Sequence, residues 1–361
     1  LMKQAAGTHD LVLLAFCDTL ATPPEELLLI CAEIVLVRRH GSHYRLDTGR
    51  PDAVEEFESE TFRACLKQTA ARWKPAAIQL EFTWMAQYAG AYPEARNILV
   101  EHDLTFDLQQ QLLATNTNTG SARWELERQL EKWRSFEKKA WSEVDCVVTM
   151  SAKDAEMVSG AKQVAAIPNG VDCGRFQPAG QTPESRRLLF IGSFAHLPNL
   201  LALDFFLREV WPLLTPGYTL HIIAGARHEY FLAFHRGRVS IDLTQAGIEV
   251  EGFVSDVRSA YARAEIVIAP LTASAGTNIK VLEAMAMGKA VVSTPAGING
   301  LDLKSGRDVA VAGDAAAFAA TVEKLTNDPA LREQIGTNAR HTAVNEFDWS
   351  AIAARQTALW D

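Results

Sequence analysis

The sequence predicts an α/β protein of two domains, each a parallel sheet wound with helices. Three observations carry this. Short apolar runs such as Ile266–Ile268 alternate with helix-period segments along the whole chain, as in sheets buried on both faces. The alternation stops at a turn signal, Pro168-Asn169-Gly170-Val171-Asp172, and restarts near Arg187. The 361 residues suffice for two domains, each with its own core. The expected boundaries are a first domain over 1–167, a linker over 168–183, a second domain over 184–344 and a closing helix over 345–361.

In the first half, Asp10–Phe16 (DLVLLAF) is the first buried strand, and Pro23-Pro24-Glu25-Glu26 opens a short helix. Ala32–Val37 is the second strand, and a polar loop with Arg38, Arg39, His40 and His43 follows it. No other ligand stands at a metal-binding spacing from those histidines, so no metal site is expected. Pro51–Ala71 reads as a helix with Phe57, Phe62 and Leu66 inward. Ala76–Phe82 is the third strand, and a helix starts over Thr83–Tyr88. Asn97–Val100 is the fourth strand and ends in Glu101-His102-Asp103. A histidine at the carboxyl end of a parallel strand stands where open α/β sheets bind ligands, which makes His102 a catalytic candidate; a structural loop histidine is the plain alternative. Trp124–Trp141 is a long helix whose charged face (Glu125, Glu127, Arg128, Glu131, Lys132) is expected to be solvated. Val144–Met150 is the fifth strand, Ser151 caps the next helix with Asp154 three residues on, and Val164–Ile167 is the sixth strand.

The second half repeats the scheme. Arg187–Ile191 is a strand that ends at Gly192-Ser193, and Asn199–Trp211 is an amphipathic helix beginning after Pro198. Tyr218–Ala224 and Ile248–Phe253 are strands, the first followed by Gly225 and Arg227, a weak phosphate candidate. Tyr261–Ala264 belongs to a short helix. Gly297–Gly300 is a turn, Val309–Val311 a strand and Asp314–Leu325 an alanine-rich helix.

The most informative stretch is Ile266–Pro295, a strand–loop–helix–strand unit. Its loop, Thr272–Gly276, carries almost no side chain, so a ligand can approach the backbone. The amides of Gly276, Thr277, Asn278 and Ile279 would be the unpaired donors of a helix start, a ready anion site. Lys280 adds a full positive charge, and Glu283 lies on the same helical face, placed to accept from a diol such as ribose. Together they point to a nucleoside diphosphate. The plain alternative is a small loop before a helix with a surface Lys280–Glu283 pair.

Composition narrows the classes. Hydrophobic residues at 48% and charged residues at 22% are those of a soluble globular protein, and the net charge of −9 argues against nucleic acid as a partner. The five cysteines are odd in number and form no C-x-x-C pair, so they read as reduced, mostly buried thiols of a cytoplasmic protein. No apolar run is long enough to span a membrane, and no signal peptide stands at the start.

Lys280-Val281-Leu282-Glu283-Ala284-Met285-Ala286-Met287-Gly288, with the Ser293-Thr294-Pro295-Ala296-Gly297 that follows, resembles the C-terminal signature of the retaining GT-B glycosyltransferases of family GT4 (group 1). The middle turn, P-N-G-V-D, resembles that family's hinge motif. Gly252-Phe253-Val254 with Asp256 resembles its G-x-V-x-D segment, whose backbone meets the base, and Phe136-Glu137-Lys138 resembles its Y-E-R. The resemblance implies two Rossmann-like domains facing across a cleft, and a nucleotide-sugar donor rather than a bound cofactor or metal. It implies that Glu283 holds the ribose, and that Lys280 with the backbone from Gly276 meets the diphosphate. It also implies that the histidine after the fourth strand, His102, contacts donor sugar or phosphate, and that the closing helix returns to the first domain on Phe347, Trp349 and Leu359. Three positions depart from the pattern. Ala275 stands where the family's first glutamate falls, and Ser193 and Asn199 stand where it has an arginine and a lysine. The first domain also begins without the family's opening strand, loop and helix. Read this way, the chain moves sugar to a saccharide or lipid-linked acceptor, in polysaccharide or glycoconjugate synthesis, with peripheral contact at the inner membrane face. The alternatives are an impaired sugar-nucleotide-binding protein and another GT-B enzyme such as a sugar-nucleotide epimerase.

Overall fold

The computed structural model describes every residue except 20–21, 40–47, 116–119, 179, 274–276 and 361. His40 and His43 therefore lie outside the described residues, as do Ser274, Ala275 and Gly276. The chain divides into two compact units, Leu1–Pro168 with Ser350–Asp361, and Asn169–Trp349.

Among the described residues the first unit has six strands: β1 Val12–Cys17, β2 Glu33–Arg38, β3 Ala77–Glu81, β4 Arg96–Glu101, β5 Cys146–Thr149 and β6 Val164–Ala166. β1 and β2 pair in parallel, and β3-β4-β5-β6 form a separate parallel sheet. Leu99 and Val147 lie side by side at its centre, fully buried with Tyr88, Trp141 and Leu104. The helix expected over 51–71 is two helices, Asp52–Glu56 and Glu60–Trp73. Ser59 divides them: its backbone is extended and its Oγ accepts from the Phe62 amide at 3.2 Å, a cap that starts a new helix. The long helix runs Ser121–Glu143, and its charged face is not wholly solvated, since Lys132 is buried. The last helix, Trp349–Thr357, buries Ile352 and Ala353. Arg355 donates to the Ala166 carbonyl, and Trp360 Nε1 donates to Gln79 Oε1 at 2.8 Å. Phe347 packs instead in the core of the second unit.

The second unit holds β7 Arg187–Ile191, β8 Thr219–Ile223, β9 Ile248–Glu251, β10 Ile266–Ala269, β11 Val291–Ser293 and β12 Ala310–Val311. All pairs are parallel, in the order β12-β11-β10-β7-β8-β9. The chain winds outward from β7 on one side and from β10 on the other. The direction of winding reverses between those two strands, and ligands of open α/β sheets bind beyond their carboxyl ends at such a point. A helix over Pro329–Glu346 was not expected from periodicity. Asp328 caps it, accepting from the Leu331 amide at 3.0 Å, and Pro329 is its first residue. Its Gly336 lies flush on the Gly288 carbonyl, where a Cβ would stand 2.2 Å away. Arg340, one turn on, donates to the carbonyls of Phe176 and Ala286, each at 2.7 Å, and of Cys173 at 3.1 Å.

Cys146 and Cys173 are buried, Cys17, Cys31 and Cys65 half-buried, and all five are free thiols. Among the described residues no helix is long and apolar enough to cross a membrane.

Candidate functional site

Three adjacent strands of the second unit end level: Ile191, Ile223 and Glu251 are register partners. Just beyond them the chain turns at Gly192, Gly225 and Gly252. A Cβ on Gly192 would stand 2.9 Å from Asn199 Cγ, and one on Gly225 would stand 2.9 Å from Ser193 Oγ. Side chains of the turns thus fill the space that larger residues would take. Gly225 also has φ +79°, which a side chain would strain. His228, which no sequence signal singled out, lies beside Gly252 and meets the Phe194 ring edge-on at 6.1 Å.

Asn199 lies in the helix Leu197–Phe205 after β7 and acts as a bracket. Its Nδ2 donates to the Ser193 carbonyl at 3.0 Å, and its Oδ1 accepts from Lys280 Nζ at 2.6 Å. Lys280 comes from the helix Ile279–Ala286 after β10. The turn after β7 and the cation after β10 therefore meet at the reversal of the sheet. The ammonium also lies over the ring of Phe190, 5.8 Å from its centroid. Burial pulls the Lys280 pKa down to about 8, with Glu283 opposing the shift. A partly desolvated lysine fixed by a neutral amide is a cation ready for an anion.

Glu283 stands one turn further, and Tyr261 fixes it. The buried Tyr261 hydroxyl lies 2.9 Å from Glu283 Oε2 and 3.0 Å from the Lys280 carbonyl. Burial raises the Glu283 pKa, while the Tyr261 bond and the charges of Arg175 and Lys280 oppose the rise. The sequence marked Glu283 and missed its holder, because Tyr261 lies on another helix, Arg258–Arg263.

The loop before Lys280 is tied elsewhere. Asn278 does not cap its own helix; its Nδ2 donates to the Gly297 carbonyl at 2.8 Å. Thr277 Oγ1 is buried without a hydrogen-bond partner among the described residues, and Ile279 is exposed. Val254 is half-buried against the core, and Asp256 accepts from Arg258 Nε at Oδ1 and from Arg258 Nη2 at Oδ2, so this acid is tied to its own turn. Arg227 is exposed, its guanidinium 4.6 Å from the Tyr230 ring centroid.

Known proteins resemble this chain in sequence and in fold. Residues 185–328 match the family model of the group 1 glycosyl transferases. Over 285 residues the chain is 25% identical to MMP alpha-(1->4)-mannosyltransferase of Mycolicibacterium hassiacum; the match covers 73% of this chain and 64% of that protein's length. Sucrose-phosphate synthase from Thermosynechococcus elongatus superimposes with a TM-score of 0.69 at 16% identity, covering 98% of each chain. Anabaena HepE, solved with UDP and glucose, superimposes with a TM-score of 0.69 at 15% identity, covering 99% of this chain and 94% of that one. The fold is that of the GT-B glycosyltransferases.

In this GT-B chain His102 belongs to the first unit, at the end of β4. Its Nε2 lies 2.8 Å from Glu81 Oε2, and its ring is 4.4 Å from that of Phe82. Behind it lies a group of acids. Glu101 is buried and accepts from Trp141 Nε1 at 2.9 Å and from the Thr83 hydroxyl. Glu137, also buried, accepts the amides of Thr105 at 2.7 Å and Phe106 at 3.1 Å, capping the helix Thr105–Thr115. Burial raises the pKa of both, and the Glu101 charge raises Glu137 further. Burial also brings Asp103 up to about 7, against the charge of His102. A carboxyl with a raised folded-state pKa contributes stability that is complete below about 4.5 and is lost as the pH rises through its folded-state value. Melting temperature is therefore expected to fall between pH 5 and 8. Glu101→Gln, which keeps an acceptor for Trp141, is expected to flatten that slope in a pH series of thermal melts.

Proposed function

We propose that the chain is a glycosyltransferase of nucleoside-diphosphate sugars, acting with retention on a saccharide or lipid-linked acceptor in surface polysaccharide or glycoconjugate synthesis. One observation carries the reading: Lys280, Asn199 and the Gly192-Ser193 turn converge at the point where the winding of the second sheet reverses. That is where a diphosphate would find one cation and a set of backbone donors. HepE, which shares the fold, was solved with UDP and with UDP-glucose, which supports a nucleotide sugar as donor here.

In this proposal the site residues divide the work. Lys280 carries the leaving-group charge as the glycosidic bond breaks, aided by the amides of Thr277, Asn278 and Ile279 before and at the helix start. A cation held in place before reaction stabilises such charge without reorganising in the transition state. Glu283, held by Tyr261, accepts from the ribose hydroxyls, and the backbone at Gly252 and Val254 meets the base. His102 contacts the donor sugar or its phosphate. No side chain needs to attack the sugar, since the acceptor hydroxyl arrives on the face the leaving group departs from. No metal is needed for charge that Lys280 and the amides already meet. The protein works in the cytoplasm, in peripheral contact with the membrane.

The test is binding of UDP, GDP and ADP in EDTA by thermal shift, followed by transfer assays with sugars of the preferred base. Ligand at a hundred times its Kd stabilises the folded state by about 2.7 kcal/mol, so one nucleotide is expected to raise the melting temperature clearly. No shift with any of the three would sink the reading.

A further inference from the structure

The helix His228–Phe234, between β8 and β9, is apolar on both sides. Phe231 and Leu232 lie half-buried against the core of the second unit. Tyr230 and Phe234, one turn apart, face outward and remain 52% and 69% exposed. Their rings lie together, with centroids 6.2 Å apart and 19° between the planes. A surface helix ordinarily keeps its outer face polar, so paired rings on that face call for a covering partner.

The charge around the rings is the reverse of the chain's. The whole chain has 44 acids against 35 lysines and arginines. Residues 226–240 hold three arginines, Arg227, Arg236 and Arg238, and one acid, Glu229. Arg227 lies over the Tyr230 ring at 4.6 Å. Arg236 and Arg238 stand in the turn that closes the helix, where the Arg238 amide donates to the His235 carbonyl at 2.8 Å. All three arginines are exposed, and among the described residues none makes an ion pair.

Exposed ring rims flanked by unpaired guanidinium groups match the boundary layer of a bilayer. There aromatic side chains enter between the headgroups, and arginines meet the lipid phosphates. A second copy of the chain fits less well, since a two-fold contact would set these arginines against their own counterparts. Nucleic acid would need an open ring face for its bases, and Arg227 and Phe234 already lie against Tyr230. We propose that Tyr230 and Phe234, with Arg227, Arg236 and Arg238, form a docking surface for a bilayer rich in anionic lipid. This rests on the glycosyltransferase reading above, and it gives the membrane contact of that reading a place on the second unit.

Co-sedimentation of the full chain with phosphatidylcholine vesicles, with and without phosphatidylglycerol as about one lipid in three, tests this at about 0.1 M salt. Binding is expected to the phosphatidylglycerol vesicles alone, and it should fade as salt rises. The double variant Arg236→Gln, Arg238→Gln is expected to bind about 25-fold more weakly, the scale of two arginines at an anionic surface. Phe234→Ser should weaken binding several-fold. Both variants should keep the wild-type melting temperature, because the replaced side chains are exposed, and the thermal shift with nucleotide should be unchanged in them. A wild-type protein that shifts with a nucleotide but does not sediment with the phosphatidylglycerol vesicles would overturn the proposal. So would variants that sediment like wild type, a dimer that Phe234→Ser dissolves, or retention of RNA in place of vesicles. A wild-type protein that needs Phe234 and the arginines to bind these vesicles, yet shifts with no nucleotide, would overturn the transferase reading and leave the membrane surface standing.

Discussion

Lys280→Ala is expected to abolish the thermal shift given by the preferred nucleoside diphosphate and to cut transfer by about 10²–10³-fold, the scale of losing one preorganised charge-stabilising donor. Lys280 is held at the β7–β10 reversal, where its Nζ donates to Asn199 Oδ1. Unfolding is not the expected cause. Burial lowers the Lys280 pKa to about 8, so the charged form is less favoured in the folded protein than in the unfolded chain. Removing it should leave the ligand-free melting temperature level or slightly higher. The wild-type counterpart is a pH effect: as the pH rises past about 8 the ammonium is lost, and nucleotide affinity should weaken. Calorimetric titration of the variant decides the matter. Unchanged affinity for the diphosphate would put the anion somewhere else.

Gly297→Ala is expected to damage both fold and site. A Cβ there would stand 2.2 Å from Ser293 Oγ and 2.5 Å from the Ala269 carbonyl, and the second of these is strand backbone. The turn Ala296–Ile298 must then lift off the ends of β10 and β11. Overpacking of this kind costs about 1–3 kcal/mol, or roughly 3–10 °C in a domain of this size. The lifted carbonyl is also the one that accepts from Asn278, so the start of the Lys280 helix should loosen and nucleotide affinity fall with stability. Gly313→Ala is the control, since nothing lies within 4 Å of its Cβ position. Equal melting temperatures for the two variants would refute the steric account.

Much of this was legible in the residues. β7 is the strand expected over 187–191, and β10 begins at the expected Ile266, because buried parallel strands leave continuous apolar runs. The motif around Lys280 and Glu283 was legible because its residues are consecutive. What was not legible was pairing between elements. Tyr261 holds Glu283 from 22 positions away, and Asn199 holds Lys280 from 81 away. Nothing local marks either contact. The break at Ser59 was masked because the apolar residues keep helical spacing on both sides of it. The helix Pro329–Glu346 has a weak apolar stripe; its signals were Asp328 and Pro329, and they outweigh periodicity there.

The helix that carries Lys280 is gripped at both ends. Asn278 ties its start to Gly297, while at its far end Arg340 holds the Ala286 carbonyl and Gly336 presses on Gly288. Its order is therefore settled when the chain folds. A nucleotide bound as proposed would meet a cation already aimed, and that helix would lose little further freedom, so association there should run at the pace of encounter and not wait on rearrangement.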